Sequence, residues 1–187
     1  VKEGGAGHPM ASNIALGKTA FAKDDFGFAP HAIAKVNDGL AGNSNSWIGN
    51  SQNSFVGINL GATALPVRSV AFGRDVAGGW MDRTLGLYEL EYTTVPNPDQ
   101  STTSWTSIGT MNYQSAGGLN FVNPSLRHVF NLPTTVMATG IRLKVNATTA
   151  YDLTCVDELE LYSQAFFEGV ALVSQGSSFT TGNVAAA

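Results

Sequence analysis

Hydrophobic residues along this chain recur in short runs of period two, broken by Gly, Asn, Asp and Pro. A two-residue period sends successive side chains to opposite faces of an extended strand. In "SFVGINLG", Val56, Ile58 and Leu60 oppose Phe55, Gly57 and Asn59. "LGLYELEYTT" sets Tyr88, Leu90 and Tyr92 against Glu89 and Glu91, and "TGIRLKVNA" sets Ile141, Leu143 and Val145 against Arg142 and Lys144. "VDELELY" repeats the pattern with Leu159 and Leu161 against Glu158 and Glu160. One apolar and one polar face per segment is the mark of antiparallel strands that cover a core on one side only. Since each sheet must bury its apolar face, the pattern predicts an all-β domain built as a two-sheet sandwich.

The boundaries follow from what interrupts the pattern. "VPNPDQSTTS", residues 95 to 104, is a polar hairpin loop whose Pro and Asn positions cannot continue a ladder. Residues 1–11, "VKEGGAGHPMA", read as a flexible arm, and residues 163–187 follow the last clear strand as a tail or an extra edge strand. With 187 residues the chain is most simply one domain. Charged residues make up only 13%, about half the usual share, and the net charge is −4 with no Lys/Arg cluster. A surface built to neutralise phosphates is therefore not expected, which argues against nucleic acid and against adhesion to anionic lipid. No apolar run approaches the roughly 20 residues needed to span a bilayer, which predicts a soluble chain. Cys155, the sole cysteine, lies in the apolar run "LTCVDEL" and reads as a small buried hydrophobe.

Catalytic signatures are missing. There is no G-x-S-x-G, H-E-x-x-H or P-loop pattern, and the three histidines, at positions 8, 31 and 128, are scattered. The chain is expected not to be an enzyme. Its distinctive chemistry lies in loops. "GRDVAGGW", residues 73 to 80, ends an apolar strand with Arg74 and Asp75, followed by two glycines and Trp80. A guanidinium offers five donors in a fixed fork that suits vicinal hydroxyls, a neighbouring carboxylate accepts in return, and an exposed indole supports the apolar face of a sugar ring. The other reading pairs Arg74 with a carboxylate and folds Trp80 over the core.

The order of "NIALGKTAFA", "VNDG", "SWIG", "FVGINLG", "VRSVAFGRD", "LGLYELEYTT", "WTSIGT", "RHVFNL", "TGIRLKV" and "CVDELELY" resembles the discoidin, or coagulation factor V/VIII type C, domain family over residues 12–162. That resemblance implies a galactose-binding-like jelly-roll sandwich of about eight core strands, with the C-terminal segment outside it. It also implies a non-catalytic, carbohydrate-binding-module-like role, extracellular or on a cell surface. In sugar-binding relatives the arginine at the end of the strand matching "VAFGRD" contacts ring hydroxyls, which points to Arg74, with Asp75 and Trp80 beside it. Phe28 and His31 of "FGFAPHAIA" lie in a region where relatives place ligand contacts; the alternative for His31 is a capping or packing role. Trp47 and Trp105 match core tryptophan positions. A structural calcium in many relatives is held by the Asp of the "DG" turn, by loop oxygens before the Trp and by a Glu of the last core strand. Those positions are Asp38, the stretch Asn43, Ser44 and Asn45, and Glu158; the alternative is a plain polar loop. A glycan or polysaccharide is the expected partner. The rival expectation is a self-associating subunit of an extracellular layer or filament, in which "FFEGVALVSQ" adds a strand to a neighbouring copy.

Overall fold

A computed structural model describes residues 12–42, 44–49, 53–73, 86–113, 128–148, 154–165 and 178–181. Among these the alternating segments form strands β1 (Thr19–Ala22), β2 (Trp47–Gly49), β3 (Phe55–Asn59), β4 (Leu65–Gly73), β5 (Gly86–Thr93) and β6 (Thr106–Tyr113). They continue as β7 (His128–Ala138), β8 (Gly140–Thr148), β9 (Thr154–Val156), β10 (Glu158–Tyr162) and β11 (Ser178–Thr181). One sheet runs in the order β1-β3-β8-β5-β6-β11, a second in the order β10-β4-β7, and β2 pairs with β9. Every pairing is antiparallel. The closing strand β11 lies on the edge of its own sheet, with Ser178 opposite Asn112 and Thr181 opposite Gly109 of β6.

Among the described residues the main core fills the space between the sheets. Val56, Ile58, Tyr88, Leu90, Ile141 and Leu143 meet Val67, Val70, Phe72, Phe130, Leu159 and Leu161 there. The Phe72 ring crosses from the three-stranded sheet to touch Tyr88 edge-on at 5.0 Å between centroids and stacks on Phe130 at 5.6 Å. Trp47 and Val156, opposite each other in the β2-β9 pair, close the core at one end. Cys155 is buried.

The polar face of the six-stranded sheet carries its own cluster. Arg142 pairs with Glu91, and its guanidinium lies 4.7 Å from the Phe55 ring centroid and 4.5 Å from that of Trp105. Phe21 packs against both rings, at 6.4 and 6.0 Å. Trp47 is wholly buried as expected, but Trp105 is not a core residue: it sits half-buried on this outer face. The physical reason is strand parity, because Arg142 alternates with the core residues Ile141 and Leu143 and so draws its stacking partner to the outside.

Candidate functional site

The chain between β1 and β2 crosses one end of the sandwich and is pinned there by its own polar groups. Lys23 N continues the ladder by donating to Phe55 O at 3.0 Å, and the Asp24 carbonyl accepts the Trp47 indole N–H at 3.0 Å. Asp25 then folds the next stretch into a loop: Oδ1 accepts from Gly27 N at 2.6 Å and Oδ2 from Ile33 N at 3.0 Å. Phe26 N donates to Ile48 O at 2.9 Å. With the backbone so engaged, Phe26 and Phe28 are left 48% and 56% exposed. Such a loop presents apolar ring faces to solvent from a fixed main chain.

His31 closes a single 3₁₀ turn, Ala29–His31, with Pro30 in its first turn. Its Nδ1 lies 2.7 Å from Ser46 Oγ, Ser46 N donates to Pro30 O at 3.2 Å, and the imidazole sits 5.7 Å from the Phe28 ring. Two contacts thus orient the ring beside an exposed aromatic. The structure brings Phe28 and His31 together, and it ends β4 nearby. Gly73, the last residue of β4, faces Glu158 in register and accepts from Asp157 N at 2.8 Å, and Asp157 follows the residue paired with Trp47. Arg74, Asp75, Trp80 and Asn43 lie outside the described residues.

Two carboxylates predicted to meet do so. Glu158 Oε1 accepts from Gly39 N at 2.8 Å and from Leu40 N at 3.2 Å, across 119 and 118 residues of sequence. Asp38 Oδ1 accepts from Leu40 N at 2.9 Å, while its Oδ2 lies 3.3 Å from Lys35 Nζ. The same ammonium is 3.4 Å from Asn45 Oδ1. Gly39 supplies the tight turn after Asp38 with a φ of +81°, a conformation that favours glycine. Burial above all, with the neighbouring Asp38 carboxylate and the Glu160 charge adding to it against the donated Gly39 N–H, pushes the Glu158 carboxyl up to about 8.

Some of the groups a hard cation needs are present: Glu158 Oε2 is buried with no hydrogen-bond partner, and Asp38 and Asn45 carry further oxygens, although among the described residues no group of three or more His, Cys, Asp or Glu side chains stands together as a metal site.

Without such a cation the pair makes stability depend on pH. The folded state keeps the Glu158 proton up to about 8, whereas the unfolded chain releases it near 4.5, so the folded state binds more protons in between. Stability from this group is present below about 4.5, declines across the interval and is lost above about 8. In chelator, Glu158→Gln is expected to flatten that decline and to be more stable than the parent at pH 8. Because the carboxyl is partly solvated, the gain is only about 1–2 kcal/mol. Urea unfolding of both proteins at several pH values checks this, and parallel stability profiles would contradict it.

The chain resembles chitosan-binding module 2 of a chitosanase/glucanase from Paenibacillus sp. IK-5, solved with chitotriose, at 20% identity and a TM-score of 0.60 over 80% of this chain and 99% of that one. It resembles the family 32 carbohydrate-binding module of C. perfringens NanJ, solved with galactose, at 14% identity and a TM-score of 0.60 over 82% and 99%. The family 32 module of Streptococcus pneumoniae EndoD is similar at 17% identity and a TM-score of 0.60 over 82% and 100%. The chain has their galactose-binding-like fold. No protein-family model matches the chain, and no curated protein matches it by sequence.

Within that fold, three structural side chains were not singled out by the sequence reading. Asp157 is buried and holds the loop after Asp38 by accepting from Gly42 N at 2.8 Å. Asp25 organises the Phe28 loop, and Lys35 reaches Asp38. "DFG" carried a usable signal, since an Asx residue two positions before a glycine is a turn former. Asp157 carried a weaker one, a carboxylate directly after the apolar "TCV". Among the described residues no helix is long and apolar enough to cross a membrane.

Proposed function

We propose that the chain binds glycan, without chemistry, through the loops at the end of the sandwich where β4 terminates. The supporting observation is the pair of exposed rings, Phe26 and Phe28, with His31 held beside Phe28 on a backbone braced by Asp25 and Ser46. Arg74 directly follows Gly73 in sequence, and its guanidinium would donate to ring hydroxyls while Asp75 accepts and Trp80 or Phe28 takes the apolar face of the sugar. Solved structures of the same fold carry chitotriose and galactose, so hexopyranosides of those classes are the ligands to try first. A bound calcium at Asp38, Asn43, Asn45 and Glu158 would be structural, tying the loop before β2 to β10. The setting fits an extracellular or surface-displayed module. Self-assembly through the tail has no supporting observation: "FFEGVALVSQ", residues 166–175, lies outside the described residues, and β11 beyond it pairs with β6 of the same chain.

The test is calorimetric titration with galactose, N-acetylgalactosamine and chitotriose, preceded by a glycan array. Arg74→Ala is expected to abolish measurable binding at unchanged thermal stability. Asp25→Ala, which frees the loop without touching the core, is expected to weaken binding about tenfold or more through loss of preorganisation. An array with no bound glycan would reject the function, and binding unaltered in both variants would reject the site.

A further inference from the structure

The cation site has an internal competitor. Lys35 belongs to the single 3₁₀ turn Ile33–Lys35, and the next residue, Val36, is buried in the core, where its carbonyl accepts Leu159 N at 2.6 Å. The root of the lysine side chain is therefore fixed relative to β10. Its ammonium reaches Asp38 Oδ2 at 3.3 Å and Asn45 Oδ1 at 3.4 Å, two of the three described side chains in the proposed calcium set. The third, Glu158, keeps Oε2 buried and unpartnered.

We propose that Lys35 is a self-supplied counter-ion of this site, which holds the loop closed at low calcium and must be displaced for a divalent cation to bind. The inference rests on the calcium reading given above. An ammonium donating to Asp38 Oδ2 and Asn45 Oδ1 and a calcium ion ligated by the same two oxygens would stand close together, and their like charges repel. The lysine satisfies only part of the acceptor set, with three donors against the six to eight oxygens a calcium ion gathers. Its contact is partly solvated, with side chains 32% and 24% exposed, so the ammonium can swing out to water when displaced. The consequence is a loop that stays formed without metal and binds calcium more weakly than its oxygens alone would allow.

The experiment is calorimetric titration of calcium into the full chain, the Lys35→Met variant and the Lys35→Arg variant, with thermal unfolding in chelator and in excess calcium alongside. Lys35→Met is expected to bind calcium about tenfold more tightly than the parent, whereas Lys35→Arg, which keeps the charge, stays near it. In chelator Lys35→Met is expected to melt below the parent, and calcium is expected to restore it. A Lys35→Met protein that folds only when calcium is added also supports the proposal, and one that fails to fold even in excess calcium overturns it. Equal or weaker calcium binding by Lys35→Met, with the parent binding, overturns the competitor role alone. Absence of calcium binding in all three proteins overturns it together with the calcium site.

Discussion

Gly57→Val is expected to destabilise the protein by about 3 kcal/mol, near the upper end of what overpacking usually costs. Gly57 lies in β3 between Phe21 of β1 and Arg142 of β8. A Cβ added there would stand 2.5 Å from Phe21 Cζ, 2.7 Å from Phe21 Cε2 and 2.9 Å from the carbonyl oxygen of Ile141. The ring can move; the carbonyl belongs to a paired strand and cannot. The glycine lets the Phe21 ring lie flat over the strand, so that its edge meets Phe55 and Trp105. A substituted Gly57 would lift Phe21 and loosen the rings that sandwich the Arg142 guanidinium. Gly57→Ala is expected to show the same effect at about 2 kcal/mol, despite the modest gain alanine ordinarily brings over glycine in a strand. Thermal denaturation of both variants checks it. A neutral Gly57→Ala would mean that the outer cluster is loosely packed.

The same residues explain what the sequence made readable. Where a strand buries one face, parity alone assigned the core: Val56, Ile58, Leu90, Ile141, Leu143, Leu159 and Leu161 are all buried. β4 resisted that treatment because its register slips between Val67 and Ser69, so that Val67 and Val70, three positions apart, both enter the core. Trp105 was misjudged because an indole is large and apolar wherever it sits, and only the guanidinium beneath it says which face it covers. In the loops, pairs distant in sequence left no local periodicity to read. The meeting of Asp38 with Glu158 came from the family resemblance, whereas the capture of Asp38 and Asn45 by Lys35 depends on a side-chain reach that no spacing encodes. The loop aromatics were legible as candidates, but the bracing that exposes them rests on Asp25 and on contacts reaching Ile48 and Ser46.

Trp47→Ala is expected to be the most damaging single change, because this side chain serves the core and the candidate site together. The indole is fully buried, and truncating such a ring removes about 3–5 kcal/mol through lost contacts and an unfilled cavity. For a chain of this length that corresponds to a fall in melting temperature of about 10 °C or more. The same indole donates from Nε1 to the carbonyl of Asp24, the residue before the carboxylate that folds the Phe28 loop. Ser54 Oγ holds the Asp24 side chain at 2.5 Å, so the loop's root is fastened at two points and Trp47→Ala releases one of them. Trp47→Phe separates the two roles: most of the apolar volume stays, and the lost hydrogen bond costs only about 1 kcal/mol. The phenylalanine variant is therefore expected to remain folded while glycan binding weakens, and the alanine variant to lose stability and binding together. Calorimetric melting paired with glycan titration of both variants distinguishes these effects. Unchanged glycan affinity in a folded Trp47→Phe protein would show that the indole N–H does not position the loop, leaving Ser54 and Asp25 to do so.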